Sequence, residues 1–324
     1  MKKLLALMLT LIMSLSVFTG CASKADTSAK KEGKKRVAII LEGAISDMSW
    51  NATAYAGLKK IEALGAEVAY VENVPASSVA DSIRTYADEK YDVIFLSTNS
   101  YADPGATAAK DYPNTQFFMI NSKVVAKNVA SFAIQDAEQG FLMGALAGLL
   151  TKTGTVGFVG GLEINPIING GKGFSQGAKY VKPDVKVIAT NTGSFDNVSA
   201  AKETAKAMVG QGVDVLAPMA NQASLGVMEA AEEAGIKAIG SGLNQEKVAP
   251  KAAVVAIVKD TSIAYEAAYK AYLDGSISDK VLPMGAKQGV VFIGEYYNEV
   301  PTDVKAKLKT IAEDLASGKI KIEI

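Results

Sequence analysis

The chain of 324 residues contains no histidine and one cysteine, Cys21. The side chains left for chemistry are therefore carboxylates, lysines, tyrosines and hydroxyls. Ser-His-Asp and Cys-His nucleophiles need an imidazole and are excluded. A Cys/His zinc site and an internal disulfide framework are excluded with them. Gly173-Phe-Ser-Gln-Gly177 satisfies G-x-S-x-G, but that elbow requires a strand before the serine and a histidine base. Here it falls in a stretch of helical spacing. The glycine-rich segment 154–177 holds neither G-x-G-x-x-G nor G-x-x-x-x-G-K-[ST], so no dinucleotide or phosphate loop is indicated. Its glycines suit close helix–strand packing instead. Asp47, Asp136 and Asp260 could ligate a hard cation, but they are far apart and lack loop-type spacing. No catalytic residue, cofactor or metal is assigned, and the expectation is a binding protein rather than an enzyme.

The stronger signals are aromatic residues beside polar groups in loops after strands. Asp47-Met-Ser-Trp50-Asn51 follows the first apolar run and contains the only tryptophan. An indole at a cleft offers a flat face to a planar ligand, and Asp47 and Asn51 offer hydrogen bonds to its edges. The alternative is a surface tryptophan with Asp47 or Ser49 capping a helix. Ser194-Phe195-Asp196-Asn197 follows a strand in the same way, with Asp196 or Asn197 as an alternative cap. Phe195 could face Trp50.

These residues require elements to place them. Arg36 to Gly43, Asp92 to Ser97, Thr115 to Ile120, Val156 to Val159, Val213 to Pro218 and Ala253 to Val258 read as buried strands. Helical spacing covers 51–64, 77–89, 137–150, 167–180, 200–211, 224–234, 262–273 and 302–317, and a short helix is expected at 104–111 with Asp103 as its cap. Largely alternating strands and helices with Val/Ile-rich runs argue for an α/β architecture of parallel sheets flanked by helices. A repeat at an offset of 122 aligns Asp92-Val93 with Asp214-Val215 and Asn99 with Asn221, suggesting two similar lobes. Ligands of open parallel sheets bind outside the carboxyl ends of strands. Asn99, Tyr101 and Asn221 would then line one cleft between lobes.

The N-terminus reads as an address. Lys2 and Lys3 precede an apolar run from Leu4 to Val17, which is short for a membrane span and suited to a secretory signal. Thr19-Gly20-Cys21 resembles a lipobox in which Cys21 is lipidated, with Phe18 where leucine is usual. Residues 21–36 are polar, carry a net charge of +4, and read as a flexible tether. The whole chain balances 34 basic against 34 acidic residues, which argues against nucleic acid as a partner.

At these motifs the chain resembles the basic membrane protein (BMP) family of ABC-transporter substrate-binding lipoproteins. The resemblance rests on DMSWNATAYAGLKK (47–60), EQGFLMGALAGLLTKTGTVGFVGG (138–161), GSFDN (193–197), QGVDVL (211–216) and GEYYNEVPTDVKAKLKTIAEDLASGKIKI (294–322). It implies a two-lobed type I periplasmic-binding-protein fold with a hinged cleft, and purine nucleosides as ligands. It also implies that Trp50 and Phe195 sandwich the base, with Asp47 and Asn51 beside it and Lys259 near the ribose. The family's ribose-gripping aspartate falls at Gly242, and Asn121 stands where many members carry aspartate, so a free nucleobase becomes a candidate ligand. The candidate ligand set is Asp47, Trp50, Asn51, Asn99, Tyr101, Asn121, Asp136, Phe195, Asn221 and Lys259. The expected organisation is a signal peptide (1–20), Cys21 and tether (21–36), an N-terminal lobe (37–135 with about 259–287) and a C-terminal lobe (136–258 with about 288–324). The expected protein is a membrane-anchored monomer on the extracytoplasmic face that delivers a purine-like small molecule to an ABC permease. The alternatives are a receptor for another small solute and a sensor signalling to a membrane kinase.

Overall fold

The computed structural model describes residues 33–242, 245–277 and 281–324; Cys21 and the signal segment lie outside them. Residues Lys35–Ile324 form one compact unit built on two six-stranded sheets.

The first sheet contains β1 (Arg36–Ile40), β2 (Glu67–Val71), β3 (Val93–Leu96), β4 (Gln116–Ile120), β5 (Val129–Ile134) and β11 (Leu282–Met284), in the order β11-β5-β4-β3-β1-β2. The second contains β6 (Thr155–Gly160), β7 (Lys186–Asn191), β8 (Val215–Met219), β9 (Lys237–Gly240), β10 (Ala253–Lys259) and β12 (Val291–Tyr296), in the order β12-β10-β9-β8-β6-β7. Central strands such as β3 and β8 are apolar throughout because helices cover both of their faces. Pairing is parallel except where β12 runs antiparallel to β10. The β1 register aligns Val37 with both Val68 and Val93, which brings the carboxyl ends of neighbouring strands to one edge.

The helices are α1 (Trp50–Ala63), α2 (Val79–Asp88), α3 (Ala102–Ala108), α4 (Asp136–Leu150), α5 (Asn165–Val181), α6 (Val198–Gly210), α7 (Ser224–Ala234), α8 (Ser262–Asp274) and α9 (Thr302–Ala316). The chain passes from the first sheet to the second through α4, returns after β10 so that α8 packs on α1, adds β11 to the first sheet, and ends on the second.

Two expectations change. The helix expected at 104–111 starts at Ala102 after a 3₁₀ turn at Asn99–Tyr101. Asp103 and Pro104 lie inside its first turn, where proline's missing N–H is harmless. The glycines of 154–177 serve helix–strand contact only in part: Gly170 and Gly171 of α5 lie against Met219 of β8 and Phe158 of β6 as expected, but the two glycines of the G-x-S-x-G match do not. Gly173 and Gly177 sit in α5 against the backbone of α4, where added Cβ atoms would lie 2.1 Å from the carbonyl oxygen of Ala137 and 1.9 Å from that of Phe141. The G-x-S-x-G match is thus a helix-packing spacing.

Candidate ligand-binding site

Trp50 opens α1, and the residues before it fix that start. One carboxylate oxygen of Asp47 accepts from the N–H groups of Ser49 and Ala52, and the other from the N–H and the side-chain amide of Asn51, all at 2.9 Å. Asn51 in turn accepts from the Gly43 N–H at 3.3 Å. Both side chains are buried and committed to holding the helix start, as capping residues are. Asp136 and Asp260 recur at the starts of α4 and α8, where the helix dipole favours a negative charge. The indole of Trp50 is 8% exposed. Its Nε1 donates to the carbonyl of Ser97 at 2.8 Å, and the Lys259 ammonium lies 5.0 Å from its ring centroid.

Phe195 lies in the turn between β7 and α6. The Ser194 hydroxyl accepts from the N–H groups of Asp196 and Asn197, and Asn197 accepts from Ala200, capping α6. The ring rests on Gly161, where an added Cβ would meet it at 2.3 Å. The Phe195 carbonyl accepts from the Ala223 N–H at 2.8 Å, tying this turn to the Asn221 loop.

Trp50 and Phe195 line one cavity together with Asn99, Asn121, Asn221 and Lys259. Asn121 and Asn221 follow β4 and β8 with φ of 63° and 47°. Asparagine tolerates this left-handed backbone better than most residues, and strained backbone concentrates at functional sites. The Asn99 amide donates to the Asn121 carbonyl at 3.2 Å, and the Asn121 amide donates to Asp136 at 2.9 Å. Lys259 Nζ donates to the other Asp136 oxygen at 2.5 Å, with side chains 12% and 3% exposed. Asp136 therefore stands behind the wall, orienting Asn121 and Lys259. Tyr101 lies apart from the cavity. It is packed in the interior of the first sheet's layer with its hydroxyl donating to the Val74 carbonyl, and burial pushes its phenol up.

Sequence reasoning missed Glu42, Thr98, Ile164, Pro166 and Ile167, which complete the lining. The last three are apolar residues at the start of α5 and carry no chemical signature. Glu42 had a signal, a carboxylate directly after the buried run of β1. Burial raises its pKa and the Asp196 charge adds to this, against a hydrogen bond from Thr98. Glu42 and Asp196 also line an outer vestibule. A second, small pocket adjoins Trp50 and is lined additionally by Ser49, Gln139 and Ser241. A planar ligand between the two rings would have apolar faces above and below it and amide, carboxylate and ammonium groups at its edges.

Comparison with known proteins identifies relatives of this chain. The model of the family described as ABC transporter substrate-binding protein PnrA-like matches residues 34–323. A purine-binding protein of Brucella abortus is 28% identical over 90% of this chain and 84% of its own length. The ABC transporter nucleoside-binding protein BmpA of Lactococcus lactis is 31% identical over 89% of this chain and 81% of its own. A solute-binding protein of an ABC transporter system from Aeropyrum pernix has the same fold, with a TM-score of 0.79 at 22% identity, covering 89% of this chain and 92% of that one.

Proposed function

The chain belongs to the PnrA-like family of ABC transporter substrate-binding proteins, and we propose that its cleft captures a purine base or nucleoside between Trp50 and Phe195. The observation that carries the reading is that these two aromatic residues, 145 positions apart and positioned from different sheets, line one cavity. Offset stacking on aromatic rings recognises a flat heterocycle at low entropic cost. Amides of Asn99, Asn121 and Asn221 suit the mixed donors and acceptors of a purine edge, and Glu42 suits its N–H groups. The relatives named for purine and nucleoside binding support the same class.

Capture proceeds by hinge closure of two lobes, residues 37–135 with about 259–287 against 136–258 with about 288–324. The packing of α8 on α1, and of α4 on α5 and α9, supports this division. The closed, loaded form docks on the permease. The anchor is a lipid on Cys21, holding the protein at the extracytoplasmic face through the tether 21–36. No helix among the described residues is long and apolar enough to cross a membrane.

A thermal-shift screen of purine bases, nucleosides, pyrimidines, sugars and amino acids tests the reading. A ligand at a thousandfold excess over its dissociation constant stabilises the folded state by about 4 kcal/mol. Purines are expected to raise Tm, and the rise is expected to vanish in Trp50→Ala. Stabilisation by another solute class and by no purine would overturn the assignment.

A further inference from the structure

The charges on the walls of the cleft are unevenly matched. Among the described residues, the ionisable side chains lining the cavity, its outer vestibule and the small pocket beside Trp50 are Glu42, Asp196 and Lys259. Lys259 is the cation among them, and its charge is already met. Its Nζ lies 2.5 Å from Asp136, with the two side chains 12% and 3% exposed. A buried pair of this kind stays together, because separating it leaves a charge without compensation.

The two carboxylates have no such partner. Neither Glu42 nor Asp196 is ion-paired among the described residues, and the vestibule that both line has no lysine or arginine in its wall. They come from opposite sheets. Glu42 follows β1 and Asp196 follows β7, close enough for the Asp196 charge to act on Glu42. Glu42 is half-buried and stands where cavity and vestibule meet, lining both, whereas Asp196 is exposed at the mouth. Bringing the two loops together therefore sets like charges near each other. A cation between them offsets that cost, and an anion raises it. The faces of Trp50 and Phe195 act in the same direction, since a ring face attracts a cation. The start of α5 lies at the cavity wall, yet it is poorly furnished for a phosphate. Pro166 has no N–H, and the N–H groups of Ile167 and Ile168 donate to the Ile164 carbonyl at 2.9 Å.

We propose that the cleft selects its purine by charge, with Glu42 as the specificity-determining residue and Asp196 as its partner at the mouth. Purines with a positive charge on the ring bind more tightly than neutral ones, and phosphorylated purines are excluded. The proposal rests on the purine reading above. Calorimetric titration of the purified protein tests it with adenosine and guanosine, their monophosphates, and 1-methyladenosine, which is a cation at neutral pH. Neutral N6-methyladenosine controls for the bulk of the methyl group, and 9-methyladenine against cationic 1,9-dimethyladenine serves a cleft that admits no ribose. The cations are expected to bind about tenfold more tightly than their neutral counterparts, and the monophosphates about tenfold or more weakly than the nucleosides. Glu42→Gln is expected to remove most of both differences. Asp196→Asn is expected to shift them the same way by a smaller factor that shrinks further in high salt. Equal affinities across the charge states would overturn the inference and leave the purine reading intact. Charge preferences kept in full by both variants would overturn the role of the two carboxylates. Absence of any purine binding, with another solute class bound, would remove the purine reading and this inference together.

Discussion

The indole Nε1 of Trp50 donates to the main-chain carbonyl of Ser97 at 2.8 Å, joining the start of α1 to the carboxyl end of β3. The bond fixes the plane of the ring that faces the cavity. Phenylalanine keeps an aromatic face but has no N–H to hold it. Stacking of a base on an aromatic ring contributes about 1–3 kcal/mol by alanine substitution. Trp50→Ala is therefore expected to weaken purine binding by roughly 5- to 150-fold, and Trp50→Phe by a smaller factor. Titration calorimetry checks both; equal affinity in parent and Trp50→Phe would show that the Ser97 bond does not orient the ring.

Glu42 gives a pH dependence with a definite sign. Its pKa is raised from the ordinary 4.5, chiefly by burial, so the folded state holds the proton more tightly than the unfolded chain does. Its contribution favours folding at low pH and is lost as pH rises from the ordinary glutamate value through the raised one. Glu138 is raised as well and adds a parallel slope, so the informative quantity is a difference. The Tm gain of Glu42→Gln over the parent is expected to grow between pH 4 and pH 8. A gain independent of pH would contradict the buried carboxylate.

Asp136 and Lys259 form a pair whose side chains are 3% and 12% exposed. Removing one partner of a buried pair leaves an uncompensated charge and costs about 3–5 kcal/mol. Asp136→Ala and Lys259→Met are each expected to lower stability by several kcal/mol in urea denaturation. The double variant should recover much of that loss. Additive losses in the double-mutant cycle would show that the pair is not coupled.

Gly144 in α4 faces α5 so closely that an added Cβ would lie 1.9 Å from the Phe174 carbonyl oxygen. No side chain can rotate away to relieve a contact with backbone. Overpacking of this kind costs about 1–3 kcal/mol or more, so Gly144→Ala is expected to lower Tm by several degrees. An unchanged Tm would show that the helices separate freely.

Tyr101 separates structure from binding. Its hydroxyl donates to the Val74 carbonyl within the core. Tyr101→Phe is expected to cost about 1 kcal/mol of stability and to leave purine affinity unchanged. A large loss of affinity with intact stability would return Tyr101 to the ligand set.

Much of this arrangement was legible before any coordinates. Central strands such as β3 and β8 are uninterrupted apolar runs because both faces are covered, and the two-lobe repeat is visible at Asn99 and Asn221. Trp50 and Phe195 were legible because an aromatic residue after a strand in an α/β chain stands at a strand's carboxyl end. Other parts lay in geometry that spacing does not carry. Asp47 and Asn51 look like ligand groups in sequence, yet their hydrogen bonds close on the start of α1. Tyr101 follows Asn99 by two residues, and the 3₁₀ turn carries its ring inward. The short β11 was hidden because Leu282–Met284 is too brief and too exposed to carry a period. Glu42 was passed over as the end of a strand, although a carboxylate there must face the cleft.

The central claim is that a purine lies against Trp50 and Phe195. Trp50 is the only tryptophan in the chain, so its fluorescence reports on the cavity alone. Titration with a purine that stabilises the protein is expected to change Trp50 emission saturably, with the dissociation constant found by calorimetry. Phe195→Ala is expected to shift that midpoint upward by at least fivefold. A purine that binds by calorimetry while Trp50 emission stays constant and Phe195→Ala has no effect would contradict the account.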